Sequence, residues 1–262
     1  MSNNIEVFRE KLANPSNFKI SYIIPFMYVE DRYPLFLKTI ENLPNTKYDE
    51  ICIAEIGRES KFKFSDLETS KKNIKHQFFY YDSDVMHRGW ALNLGAKHIA
   101  TGELFVLLDA DIVVSNDWKE LVRKTPLSPP LIGWSKLYYL DKKSTEDYLN
   151  GSPFPKKFEK VKEPSLIGAA GGCTIISSDI FHEIKGVPEN FEGSWGGPDN
   201  TLLHKIKTLG YPIKKIDTSI YHLHHEHQTP RQENVRKYAK ILLNFTKFSV
   251  ALHQKNLGCV IE

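Results

Sequence analysis

Cysteine is scarce in this chain. Among 262 residues there are three, Cys52, Cys173 and Cys259, with no CxxC pair. Neither a disulfide framework nor a cysteine-built zinc site is suggested, and a reducing compartment is the natural home. Long apolar runs are missing as well. None approaches the roughly 20 residues that span a bilayer, and the opening MSNNIEVFREKLANPSNFK has no apolar centre of the kind a signal peptide needs. The expectation is a cytoplasmic protein, with any membrane contact confined to the periphery of the cytoplasmic face. A strong charge of either sign is also lacking. Lys plus Arg number 35 against 32 Asp plus Glu, a formal charge of +3. That balance admits an anionic ligand but does not build a nucleic-acid surface, so no nucleic-acid partner is expected. Internal repeats and low-complexity tracts are absent too, and a hydrophobic content of 41% is ordinary for a globular chain.

What is present is an alternation of strands and helices. A short leading helix fits residues 5–13, and after the break at NPSNF the run KISYIIP reads as a first buried strand. YPLFLKTIENL offers Leu35, Leu37, Ile40 and Leu43 to one helical face, and EICIAEIG reads as the second strand. IKHQFFYYDSD supplies a third strand, GWALNLGAKHIA a helix with Leu92, Ala96 and Ile99 available for burial, and ELFVLLDAD a nearly uniform apolar strand. Such alternation predicts an α/β fold with a mostly parallel central sheet flanked by helices. Ligands of such sheets gather beyond the carboxyl ends of the strands, where Pro25, Glu55 and Asp109 to Asp111 all fall.

After Trp118 the pattern loosens. PLSPP at 126–130 reads as a turn, and 141–165, rich in Lys, Ser and Pro, reads as a mobile excursion over the surface. An approximate functional boundary therefore falls near 125, dividing residues 1–125 from residues 126–262 within one domain. Further on, TII is a short strand before a helix starting near Ser178 or Asp179, and DNTLLHKIKTLG is a helix stopping at Gly210. YPIKKIDTSIYHLHHEH reads as an irregular strand entering a histidine-rich loop, and QENVRKYAKILLNFTKF as a closing helix.

Three stretches could carry chemistry. In LFVLLDADIVVSNDW, Asp109 and Asp111 stand two apart and can point the same way from an extended segment. Hard divalent ions favour carboxylate oxygens and leave coordination positions for a diphosphate; a solvated strand end is the alternative. In YHLHHEHQTPR, neutral imidazoles at His222, His224, His225 and His227 suit Mn2+ or Zn2+, with His222 and His224 alternating onto one face. A three-histidine zinc hydrolase and plain surface histidines are both open. In FEGSWGGPDN, Trp195 offers a flat face to a sugar ring, Gly196 and Gly197 allow close backbone approach, and Asp199 can accept a hydroxyl proton or simply cap the following helix.

Taken in order, these stretches resemble a family. IIPF at 23–26, HRGWALNLGAKHIATGELFVLLDADI at 87–112 and GGCTIISSDIFHEIKGVPENFEGSWGGPDNTLLHKI at 171–206 are similar to glycosyltransferases of the nucleotide-diphospho-sugar type with the GT-A fold, family 2-like. The C-terminal part is similar to the galactosyltransferase-like region of beta-1,4-galactosyltransferases and bacterial polysaccharide synthases. The resemblance spans roughly residues 20–228 in matching order.

It implies a metal-dependent inverting hexosyltransferase that moves a hexose or N-acetylhexosamine, such as Gal, GalNAc or GlcNAc, from a UDP-sugar to a glycan hydroxyl. Mn2+ is the implied cofactor, with Mg2+ as the alternative. Asp111 becomes the direct metal ligand, Asp109 a contributor to the metal and ribose environment, and His222 the third protein ligand. Arg88 matches a basic residue near the nucleotide, and Pro25, Phe26, Glu55 and Asn93 line or shape its pocket. Trp195, Gly196 and Gly197 match the sugar site and Asp199 the catalytic base. Two positions depart from the pattern: Glu55 stands where many relatives have Asp, and Pro198 where an acidic residue is common. The implied setting is bacterial surface-polysaccharide synthesis, capsule or lipopolysaccharide, with a glycan or lipid-linked glycan acceptor; 141–165 is placed to help close the site. A noncatalytic carbohydrate- or nucleotide-binding module and a metal-dependent hydrolase are the competing readings.

Overall fold

The computed structural model describes residues 18–43, 48–68, 73–124, 130–154, 158–164, 171–191 and 197–226. The leading helix expected at 5–13, the closing helix at 232–248 and most of the PLSPP turn lie outside them.

Uniform apolar runs build the centre of the sheet, because only a strand covered on both faces can bury every side chain. β1 (Ile20–Phe26) and β4 (Leu104–Leu108) are buried along their whole lengths, and β2 (Glu50–Gly57) almost so. β3 (Ile74–Tyr80), whose residues alternate between partial burial and exposure, forms one edge. The other strands arrive from the second half of the chain: β6 (Leu131–Ile132), β9 (Cys173–Ser177) and β10 (Lys214–Lys215). The sheet of seven runs β10-β6-β9-β4-β1-β2-β3 and is parallel except at β9, which is antiparallel to both neighbours. This is a mixed, largely parallel α/β sheet flanked by helices.

Helix α1 (Tyr33–Asn42) carries Pro34 in its first turn, where the missing N–H costs nothing. It buries Leu35, Phe36, Thr39 and Ile40, while Leu37 is partly buried against the core, so Phe36 joins the expected face. Phe36 stacks on Phe26 with ring centroids 4.0 Å apart; truncating either ring to Ala would cost about 3–5 kcal/mol. Helix α2 (Arg88–His98) buries Leu92 and Ala96, with Ile99 just beyond its end, as expected, and every residue from Arg88 to Ala96 is buried with them. One side covers β1 and β2, and from the other Asn93 reaches the 187–189 segment.

A second sheet, β5-β11-β7-β8, is made of β5 (Ile112–Val114), β11 (Ser219–His222), β7 (Lys136–Tyr139) and β8 (Lys160–Lys162). The excursion expected at 141–165 is ordered in its described parts. Asp141 accepts the backbone N–H of Ser144 and caps α4 (Lys142–Leu149), Tyr148 is buried with Leu35, Leu140 and Leu223, and β8 pairs with β7. A side-chain cap and one inward aromatic suffice to hold a short polar helix. Helices α3 (Trp118–Lys124), α5 (Ser178–Glu183) and α6 (Pro198–Thr208) complete the described elements. Ser177, one residue before the expected start, caps α5 through Ile180 N. Strands from both sides of residue 125 share both sheets.

Candidate metal and nucleotide-sugar site

The crevice forms where β4 gives way to β5. Asp109, Ala110 and Asp111 make the turn between them, and β11 returns antiparallel to β5 with His222 opposite Ile112. That register sets His222 beside Asp111. The backbone N–H of Leu223 then donates to the Asp111 carbonyl at 2.9 Å, and buried Leu223 anchors the chain as it leaves the strand. With the strand finished, the alternation of extended chain no longer applies. His225 swings back, its Nε2 2.9 Å from Asp111 Oδ2, while His222 Nε2 stands 3.9 Å from Oδ1. His224 faces elsewhere: its N–H donates to Thr145 Oγ1 and its ring approaches Glu226 at 3.7 Å. His227 lies outside the described residues.

Asp111, His222 and His225 offer one oxygen and two imidazole nitrogens within 4.8 Å of one another. Among the described residues Asp111 Oδ1 is buried without a hydrogen-bond partner, which is costly unless something else satisfies it. A divalent cation would do so, and a carboxylate with two imidazoles suits Mn2+ or Zn2+ better than the all-oxygen preference of Mg2+. Burial opposes charge on Asp111, but His222 and His225 outweigh it and hold the carboxyl below the usual carboxylate range. Burial likewise lowers His225, and Asp111 more than reverses it, leaving the imidazole above its ordinary value.

Asp109 faces a different partner. Its Oδ1 accepts Arg88 Nε at 2.5 Å, and Arg88 Nη1 reaches Asp199 Oδ1 at 2.9 Å. Buried Arg88, at the start of α2, thus joins the first carboxylate of the DxD turn to the first turn of α6. Burial, with Asp199 and Asp111 adding to it, pushes Asp109 up to about 6 against the pull of Arg88. Helix α6 has Gly197 at its N-cap, with φ 119° and no side-chain cap bond. A side chain at 197 would be strained in backbone and would run into the Phe191 ring. Asp199 therefore is not spent on capping; its Oδ2 lies against Gly171, where a Cβ would crowd it. Trp195 and Gly196 lie outside the described residues.

A cavity of about 590 Å³ opens from Asp111 past the ends of β1 and β2, a volume within the range of small-ligand clefts. Pro25 and Phe26 line it, and Arg32, Arg58 and Lys61 add cations to its walls. Arg32, whose Nη2 donates to the Glu226 carbonyl at 2.7 Å, was not legible in the sequence, because nothing in VEDRYP ties it to the histidine loop. Asn93 is fully buried: its amide donates to Val187 O and Glu189 Oε1 and accepts Val187 N. It ties α2 to the segment before α6 and is not among the residues that line the cavity. Glu55, also buried, has its carboxylate engaged by Ser60, Lys61, Phe62 and His76.

The mixed, largely parallel central sheet flanked by helices matches a GT-A-like architecture. Residues 156–228 match the family described as the N-terminal domain of galactosyltransferase. Among solved structures, the catalytic domain of Drosophila beta-1,4-galactosyltransferase 7 in complex with xylobiose is similar at 15% identity and a TM-score of 0.50, covering 84% of this chain and 80% of that one. GalNAc-T7 with UDP, GalNAc and Mn2+ is similar at 14% identity and a TM-score of 0.56, covering 86% of this chain and 48% of that one, so the chain spans about half its length. What these likenesses establish is the fold. A search of curated protein sequences finds no match to the chain.

Proposed function

We propose that this chain is a metal-dependent inverting glycosyltransferase, moving a hexosyl or N-acetylhexosaminyl group from a UDP-sugar to a glycan or lipid-linked glycan hydroxyl. The observation that carries the reading is a buried carboxylate oxygen, Asp111 Oδ1, that has no hydrogen-bond partner among the described residues and stands with two imidazoles beside a cavity of about 590 Å³. Asp111, His222 and His225 would hold the cation. When bound, it supplies positive charge that stabilises the leaving diphosphate.

The remaining tasks belong to the chain's own residues. Arg32, on the wall beside the triad, adds fixed positive charge for the diphosphate. Pro25 and Phe26 form the apolar side of the nucleotide pocket, Trp195 is assigned to the sugar face, and Gly196 and Gly197 to its close-packed loop. Asp199 is the general base. It keeps Oδ1 on Arg88 and takes the acceptor proton at Oδ2 as the acceptor oxygen bonds to the anomeric carbon and the bond to the diphosphate breaks on the opposite face. Arg88 contributes by position: its Nη1 holds Asp199 Oδ1 at 2.9 Å and leaves Oδ2 for the acceptor hydroxyl. Attack opposite the leaving group predicts inversion, without a covalent intermediate.

Asp199→Asn is the test. It should lower transfer at least about ten-fold, the low end of what a positioned base contributes, while UDP-sugar affinity changes little. An unchanged transfer rate would remove Asp199 from the role of base.

A further inference from the structure

The strand-end carboxylate of Glu55 is consumed by the protein itself. Oε1 accepts the backbone N–H groups of Lys61 at 2.7 Å and Phe62 at 3.2 Å. Oε2 accepts the Ser60 hydroxyl at 2.7 Å and meets His76 Nε2, on neighbouring β3, at 2.7 Å. Both oxygens are thus filled, for an ionised carboxylate offers about four acceptor sites. Burial opposes its charge, and the four partners outweigh burial to hold it below the usual carboxylate range.

The segment so held is a wall of the cavity. Gly57, Arg58, Glu59 and Lys61 all line it. Phe62 closes the segment from behind, its ring 5.0 Å from His76 and 5.7 Å from Phe36. A nucleobase N–H approaching Glu55 would have to displace one of four internal bonds and expose a buried backbone amide. Glu rather than Asp also has a geometric reason here, since the additional methylene gives the carboxylate its reach from β2 to the amides of the returning loop.

We propose that Glu55 is a positioning residue. It folds the 58–63 segment into the wall of the nucleotide pocket and makes no contact with the base, so discrimination between nucleobases does not come from this carboxylate. The proposal rests on the UDP-sugar reading for the identity of the ligand, but its structural half does not.

The experiment compares wild type, Glu55→Gln and Glu55→Asp by amide hydrogen exchange and by competition binding of UDP and ADP with Mn2+ present. Exchange in 59–63 should accelerate at least about ten-fold in both variants, more in Glu55→Asp, while β4 stays protected and so reports an intact fold. UDP and ADP should weaken by a common factor of about ten, the loss of roughly one hydrogen bond to a charged group. Ser60→Ala, removing one partner only, should show the same pattern more weakly. Loss of UDP binding alone, with exchange in 59–63 unchanged, overturns the proposal in favour of a direct base contact. Failure of the wild type to bind UDP would instead sink the nucleotide-sugar reading, and the exchange data would still decide whether Glu55 holds the loop.

Discussion

Asp109 and Asp111 are separated by a single residue, yet they face different partners: Asp111 two imidazoles, Asp109 the Arg88 guanidinium. The division predicts which substitutions cost metal. His225→Ala should weaken Mn2+ binding at least about ten-fold, since it removes a ligand where even supporting contacts are worth that much, whereas His224→Ala should stay within about two-fold. Isothermal titration with Mn2+ separates the two, and a larger loss in His224→Ala would reassign the ligand. Mn2+ affinity should also fall as the medium is acidified through the histidine range, because His225 is protonated more readily than an ordinary imidazole and binding must displace that proton. The DxD pair and His222 were legible in the sequence because they are local patterns at a strand's end. The choice among His222, His224 and His225 was not. It depends on β11 stopping at His222, which is set by its pairing with β5 and β7 rather than by the residues themselves.

At the scale of elements, the amino ends of the central strands are stapled by a carboxylate. Glu50, first in β2, accepts Ser21 Oγ of β1 at 2.6 Å and the Thr101 N–H ahead of β4 at 2.5 Å, and pairs with Lys19 and Lys75. Burial opposes its charge, but these partners outweigh it and hold the group down to about 2. A carboxyl depressed on folding binds fewer protons in the native state than when unfolded, so its stabilisation is complete above the unfolded value near 4.5 and drains away as pH falls toward 2. Glu50→Gln should therefore lose about 1–3 kcal/mol at neutral pH and much less near pH 2; urea unfolding at both pH values measures it, and a pH-independent difference would contradict the staple. The central strands were legible because uniform apolar runs admit few other fates. The second sheet was not, since Lys136–Tyr139 and Lys160–Lys162 are short and mixed in polarity and become strands only by pairing. The same holds for α4, whose cap and buried Tyr148 give little signal among its Lys and Ser residues.

On the scale of the whole molecule, both sheets meet at the turn between β4 and β5. The larger brings the ends of β1 and β2 to a cavity that reaches Asp111, the smaller sets His222 and His225 beside that carboxylate, and Arg88 ties Asp109 of the same turn to α6. Among the described residues no helix is long and apolar enough to cross a membrane. The sequence carried the fold class because alternation and strand-end carboxylates are written along the chain, but the joining of Arg88 to both Asp109 and Asp199 required the folded geometry. The most direct test of the account is incubation of the protein with Mn2+, a panel of UDP-sugars and a panel of glycan acceptors, followed by determination of the product linkage. The account predicts UDP release coupled to a new glycosidic bond of inverted anomeric configuration, abolished by EDTA and restored by Mn2+. Intact UDP-sugar across the panels with the metal site filled, or free sugar released without transfer, would contradict it.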